Sequence, residues 1–295
     1  MLFLLAIVSL IKFSSAWWCT GHMLVSHIAS LDLSVNHPDI YSKIISILAP
    51  LNGELTHNIA NTLTETACWP DDIKTYGLNE ANPLHFINKP YNPEGITTNP
   101  IPSENVIFAI NSFASTLTNS GDAPLEKSVS LRFLVHFFGD IHQPLHDTAL
   151  FNSQFPQSDL GGNNFMIKYD SDINELHALW DSAIGMLEED LPRPLSPQNW
   201  AYMDQLAAWY TGNYTRSDLV LELQAKNVTQ WTVESYILAV DYAYNGIKQN
   251  EYPSQEYLSA ARQVVMKQIA LGGYRLSDFL VSVFSSPLHL ERLTS

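Results

Sequence analysis

Residues 131–147, LRFLVHFFGDIHQPLHD, limit what this chain can become more than any other stretch. Val129, Phe133, His136, Phe137 and Asp140 fall on one face of a helix at i, i+3, i+4 steps. His136 and Asp140 are four residues apart on that face, so their side chains project together, with Cβ atoms about 5–6 Å apart. Such a pair is a two-ligand arm for a metal ion. Pro144 ends the helix soon afterwards and lets His146 approach from a turn. The device recurs in residues 174–181, NELHALWD, where His177 and Asp181 are again four apart. One such pair alone reads best as a hydrogen-bonded or surface pair; two pairs with these flanks read as metal ligands. Imidazole and carboxylate donors without thiolate suit zinc.

The rest of the chain is also helical in period. Val106, Ile107, Ile110, Phe113, Ala114 and Leu117 form one amphipathic face. Residues 21–31 and 38–48 read as two earlier helices. Leu258, Ala261, Val265 and Ile269 mark a late helix that begins after Pro253, and the pattern predicts a stop at Gly272-Gly273. Strand signal is thin: residues 164–169, after Gly161-Gly162, read as a short extended ribbon. Prolines from Pro83 to Pro102 mark a long ordered loop. The expected class is all-α, a helical bundle with a short β-ribbon. No Pro/Gly/Ser-rich linker, repeat or low-complexity tract divides the chain, so a single domain spanning 17–295 is expected.

Residues 2–11 form an apolar run ending near Ser14-Ser15-Ala16. It is too short to span a bilayer and suits a signal peptide, 1–16, with cleavage after Ala16 and Trp17 as the new N-terminus. A buried N-terminal helix is the alternative, since no basic residue precedes the run. No later stretch reaches the apolar length of a membrane anchor. Export makes Asn213-Tyr214-Thr215 and Asn227-Val228-Thr229 readable as N-glycosylation acceptors, and lets the two cysteines, Cys19 and Cys68, pair. The formal net charge of −15 argues against avid binding of long duplex DNA through a basic groove. A cluster of metal ions would supply its own local positive charge.

The runs HFFGDIHQPLHD, DLGGNN, LHALWD, CWPD, LHF and WWCTGH together resemble the class I nucleases. These are zinc-dependent, single-strand-specific nucleases and 3′-nucleotidases, relatives of zinc phospholipase C. The matches keep the family's order from Trp17 to Asp181, and LGGYRLSDFL, residues 271–280, resembles its C-terminal helix. The resemblance implies three Zn²⁺ ions. Asp71, His85, His136 and Asp140 would hold the first. Trp17, through a freed α-amine and its carbonyl, would hold the second with His22 and the shared Asp140. His146, His177 and Asp181 would hold the third. Asp72 is an alternative to Asp71. His142 lies off the ligand face and reads as a supporting residue; His27, His37, His57 and His289 match no motif.

The same resemblance gives Asp71 and Lys74 catalytic roles, orienting water and offsetting phosphate charge. It assigns base stacking to Phe86 and base recognition to Asn88, Gly161, Gly162 and Asn163. Asn88 departs from the fungal members, which carry aspartate there; an amide both donates and accepts. A pocket of this kind needs an unpaired base, hence single-stranded RNA or DNA and nucleotides as substrates. Cys19 and Cys68 each precede a ligand by three residues, and convergence of those ligands implies a disulfide between them. A secreted or secretory-lysosomal monomer without a stable protein partner follows. The rival readings are a secreted zinc phospholipase C and a non-enzymatic zinc-binding protein.

Overall fold

A computed structural model describes residues 17–187 and 190–285; the expected signal segment 1–16 and His289 lie outside the described residues. Helix α1 (Cys19–Asn36) leads directly into α2 (Pro38–Leu48), which carries Pro38 in its first turn. Short 3₁₀ turns then lead to the single-turn α3 (Trp69–Asp72). Helix α4 (Val106–Thr118) is capped by Asn105, whose side chain accepts from the N–H groups of Ile107 and Phe108. Helix α5 (Pro124–Asp140) has Pro124 at its start, and Glu126 reaches back to the Ala123 N–H at 2.9 Å. A six-residue α6 (Leu176–Asp181) follows, then α7 (Pro197–Asn213), capped by Ser196, and α8 (Val228–Leu238), capped by Asn227. Helix α8 widens into a π turn at Ala239–Ala243, and α9 (Gln255–Ser285) closes the order. The protein is all-α with a small sheet.

Two expectations need correction. The sheet is not the ribbon at 164–169. It pairs β1 (Lys89–Tyr91) with β2 (Thr148–Leu150) in parallel, Lys89 opposite Thr148. Residues 164–169 keep strand-like alternation, with Phe165 and Ile167 buried, but make only an isolated antiparallel bridge, Met166 to Glu175. Local alternation cannot say which distant segment supplies the partner, and β1 lay in the stretch read as loop. Helix α9, meanwhile, does not stop at Gly272-Gly273 but runs on to Ser285, as the family resemblance implied. The glycines are needed for contact with α1. A Cβ at Gly273 would stand 2.6 Å from the Ile28 side chain, so the bare backbone lets the two helices close together.

Helices α1 and α9 together wall two apolar clusters. Met23, Leu24, Val25 and Ile28 of α1 join Trp17, Trp180 and the N-terminal half of α9 in one. Ala29 and Leu33 of α1 join α4, α5 and the end of α9 in the other. The polar ends of α1, α5 and α6 meet where these clusters adjoin, and the site is built there. Among the described residues no helix is long and apolar enough to cross a membrane.

Candidate metal centre

Six segments bring eight of the expected donors together. On α5 the His136 Nε2 lies 3.4 Å from Asp140 Oδ1, as helical spacing requires. From α1, His22 stacks flat on His136, centroids 3.9 Å apart at 12°, with its Nε2 3.4 Å from the same Oδ1. Gly139 makes that stack possible, because a Cβ there would overlap the His22 ring. Asp71 of α3 reaches His136 Nε2 at 3.6 Å. His85, ending the 3₁₀ turn Asn82–His85, places Nδ1 3.0 Å from Asp140 Oδ2. Asp140 therefore faces His22 and His136 with one oxygen and His85 with the other.

His146, in the turn Pro144–His146, meets His177 with their Nε2 atoms 3.2 Å apart, and His177 lies 3.3 Å from Asp181 Oδ2. This third set matches the one the family resemblance implied. The first two sets merge: the donors group as His22, Asp71, His136 and as His85, His136, Asp140, with His136 common to both.

The hydrogen bonding tests whether these residues fit a cation. His136 Nδ1 bonds Ala67 O at 2.6 Å, His146 Nδ1 bonds His85 O at 2.8 Å, and His177 Nδ1 bonds Gly161 O at 2.6 Å. Each carbonyl can only accept, so each Nδ1 carries the proton and each Nε2 turns a lone pair inward. Both ring nitrogens of His22, both oxygens of Asp140 and His85 Nε2 are buried without a hydrogen-bond partner. Buried acceptors are normally satisfied, and this many converging without donors fits positive charge held between them.

The electrostatics agree. Burial, then repulsion from neighbouring imidazole or Lys74 charge, holds His22 and His85 well below the ordinary histidine range. Burial and His177 do the same to His146. Burial pushes the Asp140 carboxyl well up, with Asp71 adding to it. Burial likewise pushes Asp181 up, partly offset by a bond from Gln143. Asp71 moves the other way: burial opposes its charge, but His136 and Lys74 outweigh that and hold it well below its usual range.

Lys74 places Nζ 2.6 Å from Asp71 Oδ1, tying the two expected catalytic residues together. Asp72 is not an alternative ligand, because Arg193 binds its two oxygens at 2.8 and 2.9 Å. Trp17 is buried, and the next residue donates its N–H to Asp181 O at 3.0 Å, which sets this arm beside the third donor set. Cys19 and Cys68 form the expected disulfide, Cα atoms 5.2 Å apart, joining that arm to the turn preceding α3.

The residues expected to hold a base also gather here. Phe86 follows the expected ligand His85 and is half-buried. Asn88 adopts φ 49°, and its Oδ1 would touch a Cβ on Gly161 at 3.5 Å. Asn163 spends one amide hydrogen on Leu160 O at 2.7 Å. Asn213 ends α7, exposed, and Asn227 caps α8, half-buried. Three further residues stand beside the site: Gln143 and Asp159 lie inside runs already quoted, and only Arg193 lies outside every motif. Gln143 donates to Asp181 Oδ1 at 2.6 Å, Arg193 fixes Asp72, and Asp159 lies under the glycine turn. Only the proximity of Gln143 to Asp140 and His146, three residues away on either side, hinted at its part. His142 proves structural, but against Arg275 of α9 rather than behind a ligand. His27 bonds Thr64 and Asp204, His37 ends α1, and His57 stacks on exposed Tyr76.

Helices wrapped around a cluster of imidazoles and carboxylates define a protein built on a cation-binding centre. The profile of the S1/P1 nuclease family matches residues 17–285. The chain belongs to the S1/P1 nuclease family and is a hydrolase of the endonuclease kind. It is 28% identical to Endonuclease 1 of Arabidopsis thaliana, over 97% of this chain and 93% of that one. It is 27% identical to Nuclease S1 of Aspergillus oryzae, over 96% of each chain. With Nuclease P1 of Penicillium citrinum it shares 24%, over 92% of this chain and 99% of the relative.

Proposed function

We propose that this chain is a secreted, trinuclear-zinc phosphodiesterase that cuts single-stranded RNA and DNA to 5′-phosphate products and also acts as a 3′-nucleotidase. The carrying observation is Asp140, buried, its oxygens divided between His22/His136 and His85 with no hydrogen-bond donor for either. Asp140 would be shared between the ion held by Asp71, His85 and His136 and the ion held by His22 and the Trp17 amine. His146, His177 and Asp181 would hold the third. Zinc bound there supplies the chemistry of lowering the pKa of water, polarising phosphoryl oxygens and stabilising a leaving oxyanion.

The chain's own side chains do the rest. Asp71, held ionised, orients the attacking water by accepting its hydrogen bond. Lys74, already beside Asp71, offsets charge growing on the phosphate. Phe86 stacks the base, and Asn88 and Asn163 read its edge across the glycine turn. Only an unpaired base reaches such a pocket, which excludes duplex.

Cleavage after Ala16 would free the Trp17 amine, a far better ligand than the amide it replaces. The mature protein would be one catalytic domain, residues 17–295, monomeric, with glycans on Asn213 and Asn227. A zinc phospholipase C would share the metals; Asn88 set against Gly161 favours a nucleobase over a lipid headgroup. The test is elemental analysis of the processed protein with product assays on short oligonucleotides and phosphatidylcholine. Three zinc equivalents and 5′-phosphate ends from the oligonucleotide are expected; turnover of the lipid alone would overturn the reading. One extra residue before Trp17 should cripple the enzyme, and full activity in that variant would rule out the amine as a ligand.

A further inference from the structure

The turn that carries Gly161, Gly162 and Asn163 is anchored from beneath by a carboxylate. Asp159 is fully buried. Its Oδ1 accepts the Leu150 N–H of β2 at 2.8 Å, and its Oδ2 accepts the Tyr244 hydroxyl at 2.9 Å. The Gly161 and Gly162 N–H groups favour the charge on the same carboxylate, and the Asp159 carbonyl accepts the Asn164 N–H at 2.9 Å, closing the turn. Burying a carboxylate is costly unless donors surround it, and here the hydrogen bonds come from β2 and from the residue that follows the π turn after α8. Tyr244 follows that π turn directly, its ring between Tyr91 at 5.6 Å and Phe165 at 6.3 Å. Burial, then the Asp159 charge, pushes the Tyr244 phenol well up, so it stays protonated and able to donate.

The far side of the same turn touches the metal centre. The Gly161 carbonyl accepts the His177 Nδ1–H at 2.6 Å and so fixes which nitrogen of that ring faces His146. Gly161 holds φ at +64°, and a Cβ there would stand 2.6 Å from Leu145 O. The turn is therefore wedged in place and has no room to adjust around a weakened anchor.

We propose that Asp159 and Tyr244 are positioning residues that set the turn 160–163, aligning the base pocket and the His177 ring through one buried carboxylate. The inference rests on the nuclease reading above. Asp159→Asn turns one acceptor into a donor aimed at other donors, and Tyr244→Phe removes a single bond. Each variant is assayed for KM and kcat on a short single-stranded oligonucleotide, and for zinc release against a graded chelator.

Asp159→Asn should raise KM about tenfold, and one zinc equivalent should escape at about 10- to 100-fold lower chelator strength, the usual cost of losing a ligand's outer partner. Tyr244→Phe should shift both readouts the same way by less. Variants that melt earlier yet keep wild-type KM and zinc retention would overturn the proposal and leave Asp159 a mere brace. If Asp159→Asn does not fold, Tyr244→Phe decides by the same two readouts. A wild-type protein that holds zinc but leaves the oligonucleotide intact would sink the nuclease reading instead, and zinc release would then decide the positioning claim alone.

Discussion

His136 and His142 stand six residues apart, both fully buried, and their surroundings are opposite. His142 donates from Nδ1 to Phe138 O at 2.7 Å and accepts from Arg275 at 3.3 Å through Nε2. Arg275 in turn bonds Glu234 at 2.6 Å and Glu222 O at 2.9 Å, and lies 5.2 Å over the Trp231 ring. Gln268 and Ser235 tie the backbone of the same segment to α9 and α8. Each of these bonds pairs a donor with an acceptor, and of the Arg275 guanidinium only Nε is left without a partner. His136 has the same burial, but its Nε2 looks into a space where Asp71, His85 and Asp140 also point acceptors. Burial alone therefore does not distinguish a ligand from a brace. What distinguishes them is whether the acceptors are matched by protein donors or converge unmatched.

The contrast can be broken most severely at Asp140. Asp140→Ala should cost more activity than the about 10- to 100-fold typical of outer partners, and elemental analysis should find more than one zinc missing. An intact metal count would contradict the shared ligand. Next in size is removal of the ions. Chelation from a protein saturated about a thousandfold above its Kd should lower stability by about 4 kcal/mol, a melting shift of roughly 8–16 °C for a chain of this size. The same loss should appear in His142→Gln, whose metal count should equal wild type; a smaller loss would make His142 part of the centre.

The smallest effect sharpens the bracing side. Burial, with Arg275 adding, brings His142 down to about 3. Its folded value lies below its unfolded value of about 6.5, so the unfolded chain takes up the proton first as pH falls. The neutral histidine's contribution is complete above that value and declines as acid is added, by about 1.4 kcal/mol per pH unit. Urea midpoints at pH 7 and pH 5 should show wild type losing about 2 kcal/mol more than His142→Gln. Equal losses would mean that His142 titrates freely.

Some of this was legible from residue order. The pairs His136/Asp140 and His177/Asp181 were visible because helical spacing is a local rule, and Pro144 marked the end of α5 for the same reason. The glycine pair at 272–273 misled because its signal, a helix stop, is identical to that of a close crossing until Ile28 is known to lie against it. The ribbon at 164–169 misled in the same way: alternation was real, but its pairing belonged to Lys89–Tyr91 and Thr148–Leu150. Asp159 stood in the run DLGGNN without a role of its own, and Arg193 in no motif, because a lone carboxylate or guanidinium acquires meaning only from partners 9 and 121 residues away.

By itself the sequence determined the chemistry of the donors and the two helical arms that present them, since side-chain type and a 3.6-residue period need no distant neighbour. It could not determine the convergence. That α1 lays His22 on Gly139, that the disulfide and α3 deliver Asp71, and that the turn at His85 meets Asp140 were decided by tertiary packing. So was the closing of His142 onto Arg275. Those approaches depend on segments meeting across sequence separations of 49 or more, where no local pattern records which surfaces will touch.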